Sequence, residues 1–516
     1  MVAPLPSPYD SKTGSGSVRR RRKAPFPNSI LDRRALVQTL EDRNLMISPF
    51  HITAFYAALH RQHYPDLPTF VANYYKFENG ETSSGPTVVR PLKNRVSTKK
   101  NRNKSQLPRK FLDFLQEDAQ SSGFVTVTSR IEFAQTSADR STTKLAVQLH
   151  DGQLVESVLM RYVSTATSNN SRASLCVSSQ CGCAMGCTFC ATGTMGLSGN
   201  LTAGEILEQI PLPKLDLVRN VVFMGMGEPL DNYSNVVEAC RALIDRQRWN
   251  LAHGRVTVST VGLVSQIRKL TAELPEVSLA LSLHAPNQQD RQAIVPTAKH
   301  YPLEDLIDAL DQHMMAYLQK RTNPMIEYVM LEGPTSTLEC AHQLGKLCEN
   351  RHLVVNLIPY NQTNVRDVLR CPSREHMEEF REIVVSYGSF CTIRKTMGAD
   401  IDSACGQLIT LRENKQSQNE HNAKGDVKDI EDGGSGCGGG TKQQALATSS
   451  GGSVRRKVEV AEVLGKGQLS DHSACSHIEQ GVNLEAWIRP LALATTLAGS
   501  CFMISIALAI RQRRRQ

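Results

Sequence analysis

Apolar residues recur at helical spacing through Ile30–Leu45 and again through Ile52–Leu59. The stretch from about Pro27 to Leu115 therefore reads as helical, interrupted by a polar segment around residues 80–108. From Phe124 to Met160 the period shortens to two. The alternation of Thr143–Gln148 is followed by the turn residues His150, Asp151 and Gly152 and a second alternating run to Met160, which predicts a pair of strands. A different grammar begins at Ser174. Short apolar runs near Leu175, Val221–Met224, Val256–Ser259, Ser278–Leu283, Ile326–Met330, Val354–Ile358 and Thr392–Arg394 alternate with amphipathic segments. Those segments cover Asn235–Asp245, Leu303–Leu318, Leu338–Cys348 and Arg374–Tyr387, and Thr202 with Glu205 three residues on predicts a capping box at the start of a further helix. Repeated β/α units imply an α/β fold whose parallel sheet carries helices outside it, open or closed into a barrel. Chemistry in such folds gathers at the carboxyl ends of the strands.

The expected organisation is a disordered basic extension over 1–26, a helical accessory domain over 27–119 with a basic insertion at 80–110, a β region over 120–168 and a β/α core over 169–412. A polar, Gly/Ser/Lys/Glu-rich linker over 413–485 reads as disordered. The final segment, 486–516, contains Leu491–Ile510, twenty residues without a charge, followed by Arg511, Arg513, Arg514 and Arg515. As a helix it would span about 30 Å, the thickness of a bilayer core, so a membrane anchor is expected. A buried helix is the alternative, because Thr495, Thr496, Gly499 and Ser500 dilute the apolarity.

The formal net charge of +9 is concentrated in Arg19–Lys23 and Arg90–Lys110. Such runs suit a polyanionic partner or form solvated loops. The first run also has the composition of a nuclear signal, whereas Asp10 and a weak amphipathic pattern argue against an organelle transit peptide. Met1–Val18 is polar and lacks the apolar stretch of a secretory signal, so a reducing compartment, cytoplasmic or organellar, is expected. There the 14 cysteines are more often metal ligands or reactive thiols than disulfides.

Three of them form a pattern. Cys183, Cys187 and Cys190 stand in a Cys-x3-Cys-x2-Cys spacing just after the first strand of the β/α region. Three thiolates on one loop can hold three corners of a [4Fe-4S] cube and leave the fourth iron open for a substrate. Zinc would want a fourth Cys or His, which Cys181 is near enough to supply. About forty residues on, the strand Val221–Met224 runs into Gly225, Met226, Gly227, Glu228 and Pro229. Glycines let backbone approach a ligand, and a carboxylate receives a cationic amino group.

The cysteine spacing, with Phe189 before the last cysteine, and the Gly-rich strand end resemble the radical S-adenosylmethionine (SAM) superfamily. Cys176–Gln180, Phe223–Leu230, Ser282–Pro286, Ile326–Met330, Asn356–Asn361 and Ala404–Gln407 together resemble the RlmN/Cfr family of RNA adenine methyltransferases, most closely its RlmN branch. The resemblance runs from about residue 120 to 412. It implies a partial (β/α)6-type barrel with a [4Fe-4S] cluster on Cys183, Cys187 and Cys190, and SAM contacts from Gly227, Glu228, Ser259, Ser282, Leu283, His284 and Asn361. It further implies that one SAM methylates Cys405 and that a second supplies a radical which activates the S-methyl group. Cys176 would then release the methylated base through a transient disulfide with Cys405, with Glu156 accepting the ring proton. The implied partners are rRNA, tRNA or both and an external one-electron donor, and the chain is expected to act as a monomer. Methylation at C2 of adenine is the expected activity; C8 methylation, or a scaffold that binds RNA without turnover, are the alternatives.

Overall fold

The structure, a computed structural model, describes residues 22–23, 25–78, 106–162, 172–210, 218–317, 324–363, 368–404 and 406–408. Most of the basic insertion, the 413–485 linker, the Leu491–Ile510 segment and Cys405 lie outside the described residues. Among the described residues no helix is long and apolar enough to cross a membrane.

The accessory helices form where the sequence supplies caps. After the two-residue strand β1 (Asn28–Ser29), Asp32 accepts from the Arg34 and Ala35 N–H groups and starts helix α1 (Arg33–Asp42) three residues later than the apolar period suggests. Ser48 caps α2 (Pro49–Arg61), with Pro49 at its first position. Helices α3 (Leu67–Glu78) and α4 (Arg109–Gln116) complete the layer. Phe55 anchors it, meeting Phe70 and Phe111 edge-on at 5.2 and 5.3 Å. Strand β2 (Phe124–Val125) returns to pair with β1. Arg248 fastens this layer to the core: its guanidinium lies 4.2 Å from the Tyr56 ring and donates to the Leu31 carbonyl at 2.9 Å.

Strands β3 (Arg130–Thr136), β4 (Thr142–Gln148) and β5 (Leu154–Tyr162) form an antiparallel meander, with the turn at His150–Gly152 where the sequence places it. β5 pairs antiparallel with β6 (Arg172–Cys176), the first barrel strand. The β region is thus the edge of the core sheet rather than a layer of its own. A short hairpin, β7 (Gln180–Gly182) and β8 (Leu197–Asn200), follows β6.

The remaining units alternate as the pattern predicts: α5 (Ala203–Glu208), β9 (Val218–Phe223), α6 (Tyr233–Ile244), β10 (Val256–Thr260), α7 (Val264–Glu273) and β11 (Ser278–Ser282). Then come α8 (Gln288–Ile294), α9 (Leu303–Tyr317), β12 (Met325–Met330), α10 (Leu338–Cys348), β13 (Val354–Pro359), α11 (Arg374–Ser386) and β14 (Phe390–Ile393). Neighbours from β6 through β9 to β14 are parallel, and the sheet order β14-β13-β12-β11-β10-β9-β6-β5-β4-β3 is that of a partial β/α barrel extended by the meander. Every residue of β10 is buried, as expected of a parallel strand covered on both faces. The Thr202–Glu205 capping box at α5 is present as read from the sequence. Helices α7 and α8 are absent from that reading because each shows little more than two turns of apolar period.

Candidate active site

The ends of β6 and β9 approach closely, and glycines permit it. A Cβ on Gly225 would lie 2.7 Å from the Val177 backbone, and one on Gly227 would lie 2.5 Å from the Gln180 side chain at a φ of +99°. Gly227→Ala is expected to destabilise the fold by about 2–4 kcal/mol, read as a lowered denaturation midpoint. Buried polar bonds then wire the two loops together. The Ser178 hydroxyl donates to the Glu156 carbonyl at 2.5 Å and accepts from the Met226 N–H at 2.8 Å. Gln180 Oε1 accepts from the Glu228 N–H at 2.8 Å, and Asn232 donates to the Ser179 and Leu201 carbonyls at 2.8 Å each. The Cys176–Gln180 motif is therefore the frame on which the Gly225–Pro229 turn is hung.

Hairpin β7–β8 delivers the cysteine loop, with the Cys183 N–H bonded to the Gly196 carbonyl at 2.8 Å. Cys183, Cys187 and Cys190 line one cavity of about 160 Å³ together with Gly227, Glu228, Ser259, Ser282, His284 and Asn361. Burial pushes the Cys183 thiol up to about 12 and Cys187 well above its ordinary value. Taking up a metal would thus release protons. Among the described residues no three His, Cys, Asp or Glu side chains converge on a single metal ion. Cys181 lines neither this cavity nor the adjoining one, which removes the zinc alternative's fourth ligand. A cube asks for something different: thiolates set apart, each on its own iron, whose net negative charge a nearby cation would ease.

Arg291, on α8, supplies the cation. Its side chain is fully buried, its Nε donates to the Leu283 carbonyl at 3.2 Å and its Nη2 to the Val261 carbonyl, while its Nη1 has no hydrogen-bond partner among the described residues. Burial lowers its pKa to about 10, and the Cys187 thiol acts the other way, so the two side chains are electrostatic neighbours. The donor set fits an anionic three-thiolate cluster.

The expected SAM contacts divide unevenly. Glu228 is buried, accepts from the Leu230 and Val261 N–H groups at 3.0 and 2.9 Å, and is raised to about 7 by burial, which those bonds partly offset. Ser259 and Ser282 hydroxyls meet at 3.2 Å. His284, at φ +63°, accepts from the Val329 N–H at 3.1 Å through Nδ1 and packs edge-on against Phe189 at 4.7 Å. Burial lowers its pKa to about 3, with the Arg291 charge adding to the effect, so the ring is neutral and Nε2 carries the proton. Leu283 is the exception. Its side chain does not line the cavity, and its N–H is bonded to the Glu327 carbonyl.

Glu327, which sequence reasoning did not single out, lines the cavity in register with Ser282, Asn356 and Thr392 of the adjacent strands. Asn356 Nδ2 donates to it at 3.0 Å. Burial raises its pKa, and the Arg394 charge opposes that. The matching register of four neighbouring strands is invisible in any one of them.

A second cavity, of about 510 Å³, shares Met224, Ile358, Pro359, Asn361 and Arg394 with the first. Cys176, buried at the end of β6, lines it. Ala404 lines the second cavity and Gly406 the first. The Gly406 carbonyl accepts from the N–H of Ala191, the residue after Cys190, at 2.8 Å, and the Thr192 hydroxyl donates to the Leu408 carbonyl at 2.6 Å. Glu156 lines neither cavity. It is buried on β5, with Lys144 Nζ 3.8 Å from its Oε1, and that ammonium also donates to the Asp402 carbonyl at 3.3 Å. Lys144, another residue missed from sequence, links the two.

A partial parallel barrel, a three-cysteine loop after its first strand and a ligand-lined cavity at the carboxyl strand ends define a radical SAM enzyme, and residues 177–325 match the model of the Radical SAM superfamily. The "Ribosomal RNA large subunit methyltransferase N" of Nitrosopumilus maritimus is 40% identical over 313 residues, covering 59% of this chain and 86% of that protein. The "Dual-specificity RNA methyltransferase RlmN" of Lawsonia intracellularis is 42% identical over 285 residues, covering 54% and 77%. The crystal structure of a radical SAM methyltransferase from Sphaerobacter thermophilus aligns with a TM-score of 0.58 at 30% identity, over 74% of this chain and 98% of that one. The chain belongs to the RlmN family of SAM-dependent RNA methyltransferases.

Proposed function

We propose that this enzyme methylates C2 of an unpaired adenine in rRNA and tRNA, using Cys405 as methyl carrier and Cys176 as the thiol that frees the product. The observation that carries the reading is the join between the two cavities. One is lined by Cys183, Cys187 and Cys190, the other by Cys176, and the residues on either side of position 405 contribute one to each. A base in the larger cavity and SAM in the smaller would meet at their shared wall.

When bound, the cluster and its SAM supply the radical chemistry that an adenine C2, too poor a nucleophile for polar attack, requires. Everything else falls to side chains. Glu228 receives the SAM amino group as a carboxylate; His284 presents an N–H, and Ser259 and Ser282 present hydroxyls, at the barrel mouth. The Cys176 sulfur, giving up its proton, attacks the sulfur of Cys405; an S–S bond forms, the bond from that sulfur to the transferred carbon breaks, and the electron pair stays with that carbon, which takes up a proton to complete the methyl group. Glu156, with the Lys144 ammonium 3.8 Å from its Oε1, is the acceptor of the ring proton, which must be relayed to it because it lines neither cavity. The accessory helices and the Arg90–Lys110 run take the RNA phosphates, and the adenine must be unstacked to enter. The chain acts as a monomer and draws its electron from an external donor.

Liquid chromatography and mass spectrometry of rRNA and tRNA from cells lacking the gene test the proposal. Loss of 2-methyladenosine from both fractions is expected, whereas loss of 8-methyladenosine, or of neither, overturns it. Glu228 also sets a pH dependence. Its pKa of about 7 means that the carboxylate is protonated as pH falls. The SAM amino group stays cationic there, so affinity for SAM should drop roughly tenfold between pH 7 and 5.5. Calorimetric titration of wild type against Glu228→Gln, which should show a flat profile, checks this.

A further inference from the structure

The basic run Arg19–Lys23 is used neither by the cluster site nor by the RNA cavity, yet Arg22 within it has a side chain only 5% exposed. Its guanidinium sits between two carboxylates. Nε and Nη2 donate to Asp151, in the β4–β5 turn, at 2.5 and 3.1 Å. Nη1 and Nη2 donate to Glu205, the capping-box residue of α5, at 2.8 and 2.6 Å. His150 Nδ1 stands 3.2 Å from Nη2 and 3.1 Å from Glu205 Oε1. Burial opposes the guanidinium's charge, but the bonds to Glu205 and Asp151 outweigh it and raise its pKa.

Arg22 also touches the hairpin that precedes the cysteine loop. Arg22 Nη1 reaches the Asn200 carbonyl at 3.4 Å, and the Arg22 stem lies so close over Gly199 that a Cβ there would sit 2.5 Å from Arg22 Cβ. Gly199 pairs with Cys181, and the hairpin's pairing slips between Cys181 and Gly182, immediately before Cys183. Two strands of three and four residues with an irregular register have little stability of their own and need support from outside. An arginine forked onto two carboxylates, on a backbone that leaves no room between them, provides it.

We propose that Arg22 is a positioning residue for the cysteine loop: it is a strap that presses β8 onto β7 and fixes the direction in which Cys183 leaves the hairpin. Its consequence for iron rests on the cluster reading above; its effect on the hairpin does not. The test uses the full chain without iron, comparing wild type with Arg22→Ala, Arg22→Lys and the milder Asp151→Asn. In Arg22→Ala, amide hydrogen exchange over 180–183 and 197–200 should quicken by about tenfold or more, while β11 and β12 keep their rates. Alkylation of Cys181, followed by peptide mapping, should accelerate several-fold. Asp151→Asn should shift both readouts in the same direction by less, and Arg22→Lys should fail to restore them, because an ammonium cannot fork onto both carboxylates. After anaerobic reconstitution, iron per chain should fall at least about twofold in Arg22→Ala relative to wild type. Hairpin exchange at the wild-type rate in both Arg22→Ala and Asp151→Asn, or acceleration of every strand alike, overturns the strap. Wild-type protein that takes up no iron would instead overturn the cluster reading, leaving the exchange result to stand by itself.

Discussion

Purified Cys176→Ala protein should carry RNA joined covalently to it, resistant to denaturant and removed by nuclease digestion. Cys176 lines the larger cavity at the end of β6, where it is buried. Its removal leaves Glu228, His284 and the three cluster cysteines untouched, so SAM binding and the first covalent step survive. What is lost is the second thiol, and with it release of the product. Turnover beyond the first event should fall at least about 10³-fold, while one equivalent of RNA per chain accumulates on the protein. Mass spectrometry of the digested adduct should locate the link at Cys405. Cys181→Ala is the control, since that thiol lines neither cavity and its loss should leave turnover intact. Free, methylated RNA from Cys176→Ala at the wild-type rate would remove Cys176 from the reaction.

Arg291→Leu should weaken the cluster itself. The substitution removes a fully buried cation and leaves the Leu283 and Val261 carbonyls without their donor. A unit charge several ångströms from a cluster thiolate, in a protein-like dielectric, is worth about 2 kcal/mol. For a one-electron couple that corresponds to ~90 mV. Losing a positive charge makes an added electron less welcome, so the potential should move in the negative direction by that order. Iron retained after anaerobic reconstitution should also drop, because three thiolates then lack a compensating buried charge. Spectroelectrochemical titration measures the first effect and iron analysis the second. Arg291→Lys, which keeps the charge but cannot span both carbonyls, should hold the potential nearer to wild type while still losing stability. An unchanged potential and iron content in Arg291→Leu would reduce Arg291 to a packing role.

The chemistry most local in sequence was the most legible. Cys183, Cys187 and Cys190 fall within eight residues, a span whose backbone reach alone limits what the thiols can hold. Gly225–Pro229 declares a close backbone approach through its glycines. The β/α alternation reports which strands are covered on both faces, and so the barrel, because burial leaves a period of its own. Residues whose roles depend on partners far along the chain left no such trace. Lys144 looks like a surface residue of an alternating strand until β5 brings Glu156 beside it and the loop before position 405 brings the Asp402 carbonyl. Arg291 is one polar residue in a short helix until its two carbonyls and Cys187 surround it. Arg22 belongs to a charge run until Asp151 and Glu205, more than a hundred residues away, close on it. By itself the sequence determined the fold class and the family, and it supplied the three-cysteine loop on which the proposed cluster rests. Only the tertiary structure decided which buried charges serve them, because a charge can leave water only where distant partners replace its hydration, and periodicity carries no record of those partners.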